Sequence, residues 1–314
     1  MGRIVVIGGL NMDLHLFGLQ ASFGQAPMVA DHYLAMPGGK GGNVARAAAR
    51  LGVEVSLVGR VGDDEFGRDC VDAVAADGVD TALVATTPGA PTGFVAIELR
   101  EGRHRSLVFA PGANDHLSWA DVEPGLQGLG PDDVLIVQAE VPPPVLDRLS
   151  ERSNGAPVFL DPTPPERVGR GHLLVSEVIT PDAAEAAELV GRVLGSRLWP
   201  PIAARELLES GARRAILKLG PPGAILADDD GVFEIPTVDV EPVDETGAGD
   251  VFLAALAVKR LEGADWRQAT MFANVASALS VASAGLVLPD RESVDARFQT
   301  MDKAPVQVLP SPGL

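Results

Sequence analysis

Three things are scarce in this sequence: cysteine, positive charge and long apolar runs. The single cysteine, Cys70, cannot form a disulfide within the chain, so we expect a reducing compartment and a buried packing role for the thiol. No run approaches the ~20 consecutive apolar residues that span a bilayer, which argues against a membrane protein. The chain opens on the apolar run 4–7 without a signal peptide, and we therefore expect a cytoplasmic protein.

The shortage of positive charge excludes further classes. The 314 residues include 25 Lys and Arg against 43 Asp and Glu, a formal net charge of −18. Such a surface repels phosphate backbones and anionic lipids, so neither nucleic acid nor a membrane is an expected partner. An anionic substrate such as a nucleotide would need backbone amides, a few placed lysines or a cation, and we expect a metal ion.

Short β-branched apolar runs alternate with Ala- and Leu-rich stretches of helical spacing, which predicts an α/β fold with a mostly parallel central sheet between helices. The predicted strands are 4–7, 53–58, 134–137, 157–160, 177–179 and 215–219, and the predicted helices are 43–51, 67–76, 145–152, 183–190, 202–210, 250–261 and 265–284. No repeat or long linker divides the chain, so we expect one domain over 1–314.

Two segments break this alternation, 14–36 and 80–109. Within the second, Val84, 94–99 and 106–109 look like antiparallel strands joined by polar turns. The two segments together predict a small β-sheet that projects from the α/β body as a lid over a pocket, and the alternative is an ordinary surface hairpin. The Pro-rich segment 305–314 is expected to be partly disordered.

The most informative motif is the run Asp-Glu-Thr-Gly-Ala-Gly-Asp at 244–250, which leads into an apolar helix. Its glycines let the backbone approach a ligand closely, and the start of the helix points unpaired amides at an anion such as phosphate. Asp250 lies in the first turn of this helix. Its carboxylate can accept a proton from an attacking hydroxyl, as phosphoryl transfer requires, or can simply stabilise the helix N-terminus.

Two further motifs place polar side chains beside glycines. Pro-Gly-Gly-Lys-Gly-Gly-Asn at 37–43 precedes a helix and leaves backbone and side-chain donors open, although its spacing is not that of a Walker A loop. Asn11 and Asp13 follow the first strand, where ligands bind in open parallel sheets. The alternatives are a flexible loop that caps a helix and a turn stabilised by Asx hydrogen bonds.

Together the three motifs resemble the ribokinase family of sugar kinases, also called the phosphofructokinase-B family, from residue 4 to about residue 298. The resemblance implies a ribokinase-like three-layer sandwich, ATP as the phosphoryl donor and Mg²⁺ beside it. It makes Asp250 the catalytic base. Gly247, Ala248 and Gly249 would form the anion hole for the transferred phosphoryl group.

The resemblance also assigns residues to the nucleotide. In the family an Asn-x-x-Glu motif organises magnesium and phosphate, and here Asp182 replaces the Asn while Glu185 is kept, so Glu185 is expected to hold Mg²⁺ through water. The remaining expected nucleotide contacts are Lys218, Gly220, Gly223 and Asn274. A strand-end turn and a structural asparagine are the alternatives for these positions.

The form of the glycine loop is closest to that of ribokinases, which implies ribose as substrate and ribose 5-phosphate as product. The residues that match their sugar-contacting pattern are Asn11, Asp13, Gly39, Lys40, Asn43 and Glu140. The run 110–114 adds a further match, and for Glu140 a surface acid at a strand end is the alternative. Other sugars or a nucleoside remain alternative substrates. Asp182 and the unusual Glu245 are the support for a third alternative, a sugar- or nucleotide-binding regulator without catalysis.

Two more expectations come from the family alone. A monovalent cation, K⁺, would lie near Asp244 with ligands from the loop 284–289, although that loop lacks the Ser that ribokinases commonly carry. The lid would pair with its copy to form a homodimer.

Overall fold

The computed structural model describes residues 2–19, 29–100, 103–151, 155–191, 199–283, 285–302 and 304–310. Its strands are β1 (Ile4–Ile7), β2 (Asn11–Phe17), β3 (His32–Gly38), β4 (Val55–Gly62), β5 (Val84–Thr87), β6 (Gly93–Arg100), β7 (Arg103–Ala110), β8 (Val134–Gln138), β9 (Val158–Asp161), β10 (Ser176–Ile179), β11 (Ala215–Lys218), β12 (Ala224–Asp228), β13 (Gly231–Ile235) and β14 (Val306–Pro310). Its helices are α1 (Lys40–Arg50), α2 (Glu65–Ala76), α3 (Trp119–Leu126), α4 (Pro143–Leu149), α5 (Arg170–Val175), α6 (Ala183–Leu189), α7 (Pro200–Glu209), α8 (Ala248–Leu261), α9 (Trp266–Ser280) and α10 (Arg291–Gln299).

A large sheet of 10 strands forms the centre of the molecule, in the order β14-β13-β12-β11-β10-β9-β8-β1-β4-β5. The strands from β11 to β5 in this order are parallel, whereas β12, β13 and β14 are added antiparallel at one edge. The prediction of a mostly parallel central sheet is confirmed.

Helices cover both faces of this sheet, because neighbouring residues of its buried strands point to opposite sides. In β1, Ile4 and Val6 belong to a core shared with α1, α2, α8, α9 and α10. Val5 and Ile7 belong to a second core, shared with α3, α4, α5, α6 and α7. The expected three-layer sandwich is therefore present.

A second, four-stranded sheet has the order β3-β2-β6-β7. The pairs β2–β3 and β6–β7 are antiparallel, but β2 and β6 are parallel. The separate small sheet was predicted, although it begins earlier than expected, at Asn11. Parts of its predicted segments, 20–28 and 101–102, lie outside the described residues.

The assignment of Val84 to the small sheet was wrong. Val84 begins β5, which pairs in parallel with β4 at the edge of the large sheet. The segment β4–α2–β5 is a crossover unit that returns the chain to the same sheet, as parallel strands require. A run of four residues carries no signal that distinguishes these two sheets.

The expectation of disorder after residue 305 was also wrong for part of that segment. Val306–Pro310 forms β14, which pairs with β13, and Val308 and Leu309 pack against the second core. Pro310 ends this strand at the edge of the sheet, where proline is tolerated because an edge strand has backbone groups without a partner strand. Residues 311–314 lie outside the described part of the chain.

Cys70 is fully buried in α2, and burial raises the pKa of its thiol to about 12, so the predicted packing role is confirmed. None of the helices in the described ranges has the length and apolar character to cross a lipid bilayer.

Candidate active site

One cleft of about 1200 Å³ collects the predicted site residues at the carboxyl ends of the parallel strands. Those that line it are Asn11, Asp13, Gly39, Lys40, Asn43, Glu140, Asp182, Glu185, Lys218, Gly220, Gly223, Gly247, Ala248, Gly249, Asp250 and Asn274. Asp244 is the exception among the predicted residues, and it lies buried behind the cleft wall. Motifs up to about 260 residues apart in sequence therefore meet at the edge of the sheet where ligands bind in such folds.

Two helices begin side by side at the wall of this cleft, and each follows a glycine that allows a sharp turn. Gly39, with φ of 85°, precedes α1, and Gly247, in the left-handed region with φ of 73°, precedes α8. A Cβ on Gly41 would lie 2.5 Å from the backbone of Gly8, so only glycine lets α1 begin this close to the end of β1. The packing of α1 against α8 brings Asn43 to Asp250.

Asp250 is buried but reaches the cleft. Its Oδ2 accepts a hydrogen bond of 2.8 Å from Asn43 Nδ2, and its Oδ1 lies 3.8 Å from Lys40 Nζ. Burial raises the pKa of Asp250, while Lys40 opposes that rise. The carboxylate thus has an increased affinity for a proton and lies beside the amides at the start of α8.

Asp161, which sequence reasoning missed, is the closest partner of Lys40. It ends β9 and its Oδ2 lies 3.0 Å from Lys40 Nζ. Burial opposes ionisation, but the charges of Lys40 and Lys218 and hydrogen bonds from Lys40 and Thr163 lower the pKa of Asp161 to about 2. A signal existed, because Asp161 follows directly after the predicted strand 157–160, as Asn11 and Asp13 follow theirs after a short turn.

Asn11, Asp13 and Glu140 form a polar group at one end of the cleft. Asn114 Nδ2 donates a 2.8 Å hydrogen bond to Asn11 Oδ1, so the amino group of Asn11 is left for a ligand. Burial, together with the nearby charge of Asp250, raises the pKa of Asp13 to about 7. Burial likewise raises the pKa of Glu140 to about 7 against the opposing charge of Lys40. Such groups suit the hydroxyls of a polyol.

The small sheet covers this polar end of the cleft. Its apolar side chains Val95, Ile97, Leu107 and Phe109 line the same cavity. An apolar cover over polar groups excludes water from a bound ligand, as the lids of transferases do.

The opposite end of the cleft carries the residues expected for a nucleotide. Lys218 ends β11, and its ammonium nitrogen would lie 3.3 Å from a Cβ placed on Gly249, so a positive charge stands beside the start of α8. Gly220 and Gly223 follow, both with positive φ, and a Cβ on Gly223 would lie 2.3 Å from the carbonyl oxygen of Ile235. Backbone amides and an ammonium group together suit phosphate oxygens.

Asp182, the departure from the family motif, is the N-cap of α6. Its Oδ1 accepts hydrogen bonds of 2.8 Å from the amides of Ala184 and Glu185, a role that Asp and Asn fill equally well. Glu185 completes the capping box and also accepts a 2.5 Å hydrogen bond from Thr163 Oγ1. The substitution therefore keeps the local structure, and Glu245, the other unusual residue, lies exposed at the cleft wall.

Asn274 has a structural role that limits its contact with a nucleotide. Its Nδ2 donates both hydrogens, to the carbonyl oxygens of Ile235 and Pro236 at 3.0 Å each. The amino group of Asn274 therefore has a structural role, which was the alternative, and only the side-chain oxygen remains for a ligand.

Asp244 organises the loop that precedes α8. Its Oδ1 accepts hydrogen bonds from the amide and hydroxyl of Thr246, and its Oδ2 accepts one of 2.9 Å from the amide of Gly285. Burial alone would raise the pKa of Asp244, but these hydrogen bonds hold it below its usual value. Of the predicted cation loop, Ala284 lies outside the described residues.

The described part of the protein offers few ligands for a metal ion. Within the described ranges, no three side chains of His, Cys, Asp or Glu are grouped to hold a metal. Magnesium is commonly bound by one or two carboxylates together with water and substrate phosphates, and Glu185 fits that pattern because it lines the cleft near Lys218.

A proton acceptor beside an amide cluster for phosphate, in a cleft with a polar end under an apolar cover, is the arrangement of a small-molecule kinase. The model of the pfkB family carbohydrate kinases matches residues 1–292, and the chain belongs to this family. It is a phosphotransferase that acts on a sugar, as the motifs predicted.

Individual relatives extend over nearly the whole chain. The ribokinase of Bacillus subtilis is 33% identical over 299 residues, which cover 94% of this chain and 99% of that protein. The structure of the Thermotoga maritima ribokinase has a TM-score of 0.85 and 30% identity, and covers 96% of this chain and 100% of its own. The Arabidopsis thaliana ribokinase, solved with ribose and ATP, has a TM-score of 0.82 and 26% identity, with the same coverage.

Proposed function

We propose that this sugar kinase transfers the γ-phosphoryl group of ATP to ribose and produces ribose 5-phosphate. The similarity to ribokinases, including one solved with ribose and ATP, supports this substrate pair. The observation that carries the mechanism is the buried carboxylate of Asp250, hydrogen-bonded to Asn43 in the cleft that Asn11 and Asp13 also line.

The sugar lies at the polar end of the cleft. Asp13 and Glu140 accept hydrogen bonds from its hydroxyls, Asn11 donates one through its amino group, and Lys40 completes the contact, while the backbone of Gly39 contacts the sugar and its amide holds Asp13. Asn43 Oδ1 is buried and has no partner in the described part of the protein, so a sugar hydroxyl would satisfy it.

The reaction is an in-line displacement. Asp250 accepts the proton of the primary hydroxyl, and the oxygen forms a bond to the γ-phosphorus as the bond to the ADP oxygen breaks. The amides of Gly247, Ala248 and Gly249 stabilise the negative charge on the transferred group, and ADP leaves with the electron pair.

The nucleotide lies at the other end of the cleft, beside Lys218, Gly220 and Gly223, with Asn274 contributing its side-chain oxygen. Asp182 acts by fixing the start of α6. When Mg²⁺ is bound with the nucleotide, it supplies charge neutralisation for the phosphates, and Glu185 would hold it through water. We also propose a K⁺ site near Asp244 and a cytoplasmic location, the latter supported by the single buried cysteine.

Replacing the base is the direct test. Asp250→Asn keeps the size of the side chain and an oxygen for the hydrogen bond from Asn43, but it cannot accept a proton. We expect kcat to fall by about 10²- to 10⁴-fold, with little change in ribose binding measured by calorimetry. Asp77→Asn, at a partly buried carboxylate paired with Arg46 outside the cleft, is the matched control. Near-normal turnover by Asp250→Asn would rule out the proposed base.

A substrate panel separates ribose from other sugars and nucleosides, and the same assay tests the regulator. Release of ADP with ribose, 2-deoxyribose, fructose and adenosine, compared by kcat/KM, ranks the substrates. A regulator would bind ligand without ADP release. The capping role of Asp182 removes one of the two sequence features that supported that alternative.

A further inference from the structure

Lys40 stands between two buried carboxylates but is bound to only one of them. Its Nζ lies 3.0 Å from Asp161 Oδ2, within hydrogen-bonding distance, and 3.8 Å from Asp250 Oδ1, beyond it. Because burial increases the strength of charge interactions, this difference of position has a large effect on the free energy of protonating Asp250.

The carboxylate of Asp161 is more deeply buried than the side chain of Lys40. Asp161 is 1% exposed, and its Oδ1 accepts a hydrogen bond of 3.2 Å from the amide of Thr163 and lies 2.9 Å from the hydroxyl oxygen of that residue, whose hydrogen points to Glu185. The side chain of Lys40 is 29% exposed and reaches the cleft from the first turn of α1. The position of the ammonium group is therefore set by Asp161.

We propose that Asp161 is a positioning residue that holds the Lys40 ammonium group off Asp250, so that the base keeps a free lone pair for the proton of the sugar hydroxyl. This inference rests on the proposed function of Asp250. If Asp161 lost its charge, the ammonium group would move to Asp250 and pair with it directly. The paired carboxylate would be a weaker base.

Several charged groups act on Asp250 from the elements packed around it. Lys40 of α1 and Lys218 of β11 favour its ionised form, and Asp161 of β9 opposes it. Asp13 of β2 and Glu140 after β8 are also close enough to interact with it electrostatically. Asp161 can thus act on Asp250 by two routes, directly through its charge and indirectly through the position of Lys40.

A double-mutant cycle separates these routes. The pH dependence of kcat, at saturating ribose and Mg-ATP, is measured for Asp161→Asn, Lys40→Met and the double variant. The acid limb is the low-pH side of the profile, where kcat falls as Asp250 becomes protonated, and the plateau is the maximal kcat above it. Asp161→Asn should move the acid limb to lower pH by about one unit and lower the plateau by about 3- to 10-fold. With Met at position 40 there is no ammonium group to move, so the Asp161→Asn change should shift the acid limb by less than half as much.

The result that would overturn the proposal is an equal shift with and without Lys40, since a purely direct charge effect gives that outcome. An acid limb unmoved in folded Asp161→Asn would also overturn it. The cycle needs all four proteins in folded form, so if Lys40→Met is unstable, Lys40→Gln, which also lacks the ammonium charge, replaces it in both backgrounds. Asp161→Glu should restore the wild-type limb to within about half a pH unit if the carboxylate charge is what matters.

Failure of this inference and failure of the proposed function give different results. Loss of turnover in Asp250→Asn together with an equal shift in both backgrounds removes only the role of Asp161. Retained turnover in Asp250→Asn removes the base itself. Asp77→Asn, which neutralises a paired carboxylate outside the cleft, should leave both the plateau and the acid limb unchanged.

Discussion

Asp13 and Glu140 change charge near neutral pH, which is unusual for carboxyl groups. Burial raises the pKa of each to about 7, and the negative charge of Asp250 adds to the rise. Both groups are therefore largely neutral at pH 6 and largely ionised at pH 8. An ionised carboxylate accepts stronger hydrogen bonds from hydroxyl groups than a neutral carboxyl does.

Ribose should consequently bind more tightly as the pH rises through 7. We expect an increase in affinity of about tenfold between pH 6 and pH 8, measured by calorimetry on the nucleotide-free enzyme. In Glu140→Gln, whose new side chain cannot ionise, ribose affinity should change less between pH 6 and pH 8, because only Asp13 still titrates. Equal affinity at pH 6 and pH 8 in the wild-type protein would contradict the proposed contacts.

At the scale of elements, the side chain of Asn274 joins α9 to the end of β13. Asn274 donates to two consecutive carbonyl groups, and Thr237 Oγ1 returns a hydrogen bond of 3.2 Å to its backbone carbonyl. Because α9 also lines the cleft through Ser277 and Ala278, this link connects the stability of the fold with the shape of the nucleotide end.

Asn274→Ala should lower the free energy of unfolding by about 2 kcal/mol, because it removes the side-chain donor from one buried and one partly buried carbonyl group. Urea denaturation measures this loss. The KM for ATP of the same variant shows whether the substitution also weakens binding at the nucleotide end of the cleft. Gln268→Ala, an amide at an exposed position of the same helix, is the control and should change the free energy by less than about 0.5 kcal/mol. If both variants are equally stable, the two hydrogen bonds contribute nothing.

Local patterns predicted those parts of the site that glycines and helix starts define. The helix at 250–261 and the loop before α1 carry their signals within a few residues, so α8 and α1 were expected almost where they lie. The position of Asp161 at a strand end was a usable signal that was overlooked, but its pairing with Lys40, 121 residues away, left no local pattern. The hydrogen bond from Asn114 to Asn11 joins residues 103 apart in sequence, so local patterns could not predict it either.

At the scale of the whole molecule, the small sheet leaves apolar side chains on its outer side. In β7, Leu107 and Phe109 line the cleft, so Val108 between them points to the other face, where it is 54% exposed. Tyr33 of the edge strand β3 is 70% exposed. We propose, as the family resemblance implies, that this surface pairs with its copy in a homodimer.

Val108→Asp should convert such a dimer to a monomer, because it places a charge in an apolar interface. Sedimentation velocity at micromolar concentration measures the change in mass. Leu174→Asp, at a residue of α5 that is 60% exposed, is the control and should leave the mass unchanged. A wild-type protein that sediments as a monomer would refute the dimer.

The hydrogen bond between Asn43 and Asp250 joins two points that lie 207 residues apart along the chain. During synthesis the proposed sugar-binding motifs therefore leave the ribosome long before the proposed proton acceptor does. A nascent polypeptide already carries Asn11, Asp13 and Asn43 while it has neither α8 nor the amides for phosphate. If Asp250 is the base, as we propose, an unfinished copy consumes no nucleotide, because turnover then requires α8 to have been made and to have docked.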